Sequence, residues 1–241
     1  MKTYSIAALF FLAISVHAYD ENRTLTLDGK SVQSISIKAG SGTLEVRQGD
    51  DEIKVEAVIE VDGGWDGDEE AFVRENVELT LTREGDRAVL VSRFRAHFFG
   101  GDWKSKHINL VVLIPKNKRV TVEDGSGSMR ISGLQNDLRI SDGSGDIEIE
   151  GIVGNIDLED GSGSIEIENV TGNVHVEDGS GDMTIRSING NVEVSDGSGS
   201  IRLADIEKNV IIHDDGSGRV SISNVKGDVI RRDHHRDWDD D

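Results

Sequence analysis

The sequence predicts an all-β fold, a parallel β-solenoid with two short strands per 18-residue coil and a β insertion near its N-terminal end. Right-handed winding is the default for parallel crossovers. Three observations carry this reading. The tetrapeptide Asp-Gly-Ser-Gly recurs six times, at Asp124, Asp142, Asp160, Asp178, Asp196 and Asp215, with four intervals of 18 residues and a last one of 19. Each copy is followed by apolar-x-apolar, a turn, and apolar-x-apolar again. A second corner also repeats, as Asn155, Asn173, Asn191 and Asn209, with Asp137 and Asp228 in the outer copies. Hairpins fit this pattern locally, but have no reason to keep two distinct corners at long range. In a solenoid each residue lies about 4.8 Å from its equivalent one coil away, so corner chemistry must repeat.

Residues 1–18 have the form of a secretory signal: Lys2, then an apolar run from Ile6 to Val16, then small residues before Tyr19. Residues 19–120 form an N-terminal β region. Gly40-Ser41-Gly42-Thr43-Leu44-Glu45-Val46 echoes the repeat there, as an early coil. Strands are expected at Ile53 to Val61, Val77 to Thr82, Ala88 to Phe94 and Ile108 to Ile114, where Pro115 ends the last ladder. Glu69 to Glu75 suits a short helical turn. The segment from about Asp62 to Lys106 is read as an insertion covering the open end of the solenoid. Residues 121–230 supply six coils. Coil cores read Met129, Ile131, Leu134, Leu138, Ile140; then Ile147, Ile149, Ile152, Ile156, Leu158; and so on to Val229. Alternation places these on one face of each strand, with Glu148, Glu166, Arg202, Asp157, His175 and Glu193 toward water. Residues 231–241 are a charged tail, expected to be disordered.

The chain carries a formal net charge of −20. That repels nucleic-acid phosphate and anionic membranes. It has no Cys, so disulfides and a lipid anchor on cysteine are excluded. No segment after the signal is long and apolar enough to span a bilayer. Four scattered histidines, His97, His107, His175 and His213, and no phosphate loop leading into a helix leave no catalytic constellation. Outward Arg202, Arg139 and Asp157 are the residues that a polysaccharide-active site would use.

The six motif aspartates, Asp124, Asp142, Asp160, Asp178, Asp196 and Asp215, should stack as a ladder on one edge. In the structural reading each accepts backbone N–H groups two residues on, Gly supplies positive φ, and water and salt screen the charge. In the metal reading the carboxylates hold Ca²⁺, joined by Asp146 and Asp182. The calcium nonapeptide of stacked-repeat proteins needs Asp where this chain has Ile147, Ile165 and Ile201, so that motif is not matched. The asparagines are expected to bond along the stack. Trp65, Phe94, Phe98, Phe99 and Trp103, with Phe72, fall in the insertion. They either cap the solenoid end or form a patch for a partner.

The strand Ile108 to Pro115 directly before the repeats, and the Gly-Ser-Gly-(Ser/Asp)-Ile-x-Ile and Gly-Asn-Val-x-Val halves that follow, resemble the bacterial putative-adhesin family of β-solenoid envelope proteins. The resemblance covers most of the mature chain. It implies a secreted or cell-envelope solenoid and supplies no catalytic residues. The combined expectation is a non-catalytic scaffold or adhesin-like binding protein, periplasmic or at the cell surface. Its partner would be an envelope protein or polysaccharide, without nucleic acid and without a cofactor, Ca²⁺ being the alternative.

Overall fold

A computed structural model describes residues 19–63, 68–95 and 103–232. The chain is a parallel β-solenoid of two ten-stranded sheets with an aliphatic column between them. The regular coils alternate between the sheets. Strands β8 (Arg119–Asp124), β10 (Leu138–Asp142), β12 (Ile156–Asp160), β14 (Val174–Asp178), β16 (Val192–Asp196), β18 (Val210–Asp215) and β20 (Val229–Arg231) stack on one side. Strands β9 (Met129–Ser132), β11 (Ile147–Glu150), β13 (Ile165–Val170), β15 (Met183–Ile188), β17 (Ile201–Ile206) and β19 (Val220–Val225) stack on the other. Register is one coil per step: Ile147 pairs with Ile165, Ile165 with Met183, and Val174 with Val192.

The pattern forms strands because β-branched residues sit at alternate positions, and strand geometry turns alternate side chains to one face. Ile165, Ile167, Val170, Val174 and Val176 of one coil are buried, while Glu166 between the first two and Glu177 after the last are exposed. One coil cannot bury this face alone, so stability comes from stacking on neighbours. The 19-residue interval is absorbed by a β-bulge: the register of β16 on β18 shifts after Val194, pairing Ser195 with Asp214.

The N-terminal hundred residues continue both sheets. Strands β2 (Ser34–Ala39) and β3 (Leu44–Gln48) make the early coil, lying parallel to β8 and β9. The next layer comes from β6 (Arg87–Phe94), parallel to β2, and β7 (Trp103–Ile114), parallel to β3. Beyond it the pairing turns antiparallel, with β5 (Val77–Glu84) on β6, β4 (Glu52–Gly63) on β7, and β1 (Tyr19–Asp28) on β4. Helix α1 (Glu69–Asn76) packs at this end, burying Phe72 and Val73. Asp68 caps it, its carboxylate accepting from the Ala71 N–H at 2.9 Å. At the other end of the stack β19 and β20 are the outermost strands, and Val229 and Ile230 are exposed.

Candidate functional site: the corners and the outer faces

The Asp-Gly-Ser-Gly corner is tight because successive coils nearly touch. Gly163 has φ +144°, and a Cβ there would lie 1.9 Å from the Gly145 carbonyl oxygen one coil back. No side chain fits such an approach, which explains the second glycine of the motif. The Asp of each motif ends the second strand of a coil. Val174, Val176 and Asp178 are positions i, i+2 and i+4, so the carboxylate falls on the core face. Asp124, Asp142, Asp160, Asp178 and Asp196 are all at least nine-tenths buried. The expected ladder is therefore turned inward, where water and salt do not screen it.

Each carboxylate divides its two oxygens. Oδ1 accepts a backbone N–H: from Gly125 at 2.8 Å for Asp124 and Gly143 at 2.8 Å for Asp142. For Asp160, Asp178 and Asp196 the donors are Ser162, Ser180 and Ser198, at 3.3, 3.1 and 3.0 Å. Oδ2 is enclosed in all five and has no hydrogen-bond partner. Burial pushes Asp124, Asp142 and Asp160 up to about 6, opposed by the backbone N–H bonds. Asp178 and Asp196 are raised for the same leading reason. The neighbouring carboxylate of the previous coil adds to the rise from Asp142 onward. Two full charges one coil apart would repel by about 3 kcal/mol at an effective dielectric near 20. Asp215, after the bulge, leaves this arrangement: it is half-buried and pairs with Arg231.

The other acidic positions face outward and bond along the stack. The Asp146 carboxylate accepts from the Ser164 N–H, and that of Asp182 from the Ser200 N–H, both at 3.0 Å. That bond leads the causes holding Asp182 below its ordinary value. Asp and Ser alternate at this position, so no two of these carboxylates are adjacent. Among the described residues, no group of three or more His, Asp or Glu side chains could hold a metal ion.

The Asn corner is bonded from coil to coil. Asp137 accepts from the Asn155 N–H at 2.9 Å, Asn155 from Asn173 at 3.0 Å, and Asn173 from Asn191 at 2.9 Å. Asn191 accepts from Asn209 at 3.2 Å, and Asn209 from Asp228 at 2.9 Å. Asp substitutes at the two ends because the first member need only accept and the last offers only its backbone N–H. A further corner escaped the sequence reading. Gly133, Gly151, Asn169, Ser187, Asp205 and Asn224 occupy equivalent positions, and all have φ between +51° and +70°. The Gly/Asn/Asp bias at this 18-residue spacing was the available signal.

Ion pairs run between coils on both outer faces. Arg130 pairs with Glu148 and Glu150, and Arg186 with Glu166 and Glu168. Arg139 meets Asp157 and Glu159 at 3.4 Å. Arg202 lies in β17 on the opposite sheet, 3.6 Å from Asp182, so it does not converge with Arg139 and Asp157. Near the early coils a groove is lined by residues that include Ser128, Asp146, Ser164, Arg130, Glu148 and Glu166.

Of the aromatic group, Trp65, Phe98 and Phe99 lie outside the described residues. Trp103 begins β7, and its side chain is likewise outside them. Phe94 is half-buried, stacks on Phe72 with centroids 6.2 Å apart, and lies under the Lys106 ammonium at 5.4 Å. It thus has a packing role at the closed end.

The family model described as Toastrack DUF4097 matches residues 32–231. No curated protein matches the chain. Among solved structures, a "Putative lipid binding protein" from Parabacteroides distasonis ATCC 8503 is 16% identical, with TM-score 0.50, covering 89% of this chain and 97% of that one. A "putative adhesin" from Bacteroides fragilis NCTC 9343 is 13% identical, with TM-score 0.47, covering 88% and 97%. The first of these likenesses supports the fold. The family match spans nearly all of both sheets, and the chain belongs to the Toastrack DUF4097 family.

Proposed function

We propose that the protein is a non-catalytic binding scaffold of the cell envelope or extracellular space, delivered by the signal at residues 1–18. The observation that supports this best is the character of the outer faces. Both are flat, polar and tied from coil to coil by ion pairs, and the residues suited to polysaccharide chemistry are split between opposite sheets. Such a surface offers many hydrogen-bonding groups on a stiff frame and no convergent acid and base. Its partner is an envelope protein or polysaccharide. The proposed contact is the aromatic group of the insertion, Trp65, Phe94, Phe98, Phe99 and Trp103, of which Phe94 packs at the closed end.

The test is retention of the protein on isolated envelope fractions, before and after protease or glycosidase treatment of the fraction. Replacing Trp65, Phe98 and Phe99 together by Ala should abolish retention while the melting temperature stays within a few degrees. Unchanged retention would remove the aromatic contact. Turnover on a panel of polysaccharides, lost on Asp157→Asn, would replace the scaffold reading with an enzymatic one.

A further inference from the structure

The geometry points to a proton-binding column inside the solenoid: Asp124, Asp142, Asp160, Asp178 and Asp196 hold protons in their enclosed carboxyl pairs, so the coils tighten as the medium acidifies. The column spans five consecutive coils. Each member is at least nine-tenths buried, one oxygen is fixed by a backbone N–H, and the other has no partner. A lone orphan oxygen would be a local defect. The same orphan in five coils is a built feature. A proton on Oδ2 neutralises the buried charge and turns that unpartnered oxygen into a donor.

Among the described residues, no cationic group is among the causes acting on the column. The groups acting on it are its own members, with Asp182 and Asp214 added near Asp196. Outward neighbours on the same strands are Glu123, Glu159 and Glu177. From the opposite sheet the inward residues are aliphatic or Met: Met129, Ile147, Ile165, Met183 and Ile201. The outward charges there, Arg130, Glu148, Glu166 and Arg186, pair among themselves. Below Asp124 the β2 register ends with Lys38 opposite Glu123, and the next residue, Ala39, pairs with Ser92 in the layer beyond. Above Asp196, Asp215 is engaged by Arg231. The Asp124 end thus meets uncharged groups, while at the Asp196 end Asp215 is paired and Asp182 and Asp214 add negative charge.

The sign follows from linkage. Asp124, Asp142 and Asp160 are raised from 3.8 to about 6 in the folded chain, and Asp178 and Asp196 are raised as well, so above 3.8 and up to about 6 the folded state binds more protons than the unfolded one. Stability therefore falls as pH rises through about 6, and is recovered as pH falls toward 4. Because members interact, the column titrates in coupled steps over a broad range.

Thermal melts from pH 8 to pH 5 at constant ionic strength test this. The melting temperature should rise by about 3 °C or more on acidification, and the rise should persist at about 0.5 M salt, which screens surface repulsion. Asp160→Asn with Asp178→Asn keeps the Oδ1 acceptors and adds amide donors. It should raise the pH 8 melting temperature and flatten the dependence, whereas the exposed Asp50→Asn should leave the slope intact. A melting temperature that is flat or falls on acidification overturns the proposal. So does a double variant with the full original slope. Millimolar Ca²⁺ that raises the pH 8 melting temperature would assign the orphan oxygens to a metal instead. Should the variants fail to fold, urea unfolding of the unaltered protein in weak buffer at pH 5.5 decides: protons must be released, and uptake or no change refutes the column.

Discussion

At one corner of each coil an Asn oxygen faces outward and accepts a backbone N–H from the next coil, while at another an Asp carboxylate turns inward and leaves one oxygen unpartnered. Both corners obey the same coil spacing and both hold polar side chains in a stack. They differ in where the side chain points relative to the core face. Asn precedes the first inward residue of its strand, as Asn173 precedes Val174, so it stands at the rim. Asp follows the last inward residue by two, as Asp178 follows Val176, so it enters the interior. Between its two Asp ends the rim ladder is satisfied by neutral amides at any ordinary pH. The interior ladder is satisfied only when protons are supplied.

The largest break in this comparison comes from the glycines. Gly163→Ala places a Cβ against the Gly145 carbonyl at positive φ, and should cost about 3 kcal/mol or more in urea unfolding. Gly190→Ala at the Asn corner meets an equally close oxygen, that of Gly172 at 1.9 Å, and should cost somewhat less, about 2–3 kcal/mol, only because Gly190 is not held at positive φ. Truncating the ladders themselves comes next. Asn173→Ala removes the acceptor of the Asn191 N–H, and should cost about 1 kcal/mol equally at pH 5 and pH 8. That pH-independence is the counterpart of the slope expected from the aspartates. The smallest effect lies at the left-handed corner, where Ser187→Gly relieves φ +59° and should gain about 0.5–1 kcal/mol by the same urea titration.

Much of this was legible before the structure. Alternation of Ile165 with Ile167 and of Val174 with Val176, repeated every 18 residues, encodes strands and their register. The inward turn of Asp178 was also written in its parity with Val174 and Val176, but the turn chemistry of Asp-Gly-Ser-Gly drew the reading toward the surface. The orphan oxygens were not legible. They depend on which N–H groups reach each carboxylate, and that is set by corner geometry rather than by residue type. The layered N-terminal region was legible as strands but not as pairings. Ile59 lies opposite Ile108 and Ala57 opposite Leu110, contacts that local pattern does not specify. Ser187 hid the left-handed corner, since Ser gives a weaker signal there than Gly or Asn.

The inward carboxylates are the account's central claim, and carbon-detected NMR titration of the Asp160 carboxyl in the folded protein tests it most directly. The account predicts a midpoint of about 6, with a broad transition shared with Asp142 and Asp178. A sharp midpoint at or below the ordinary value of 3.8 would contradict it.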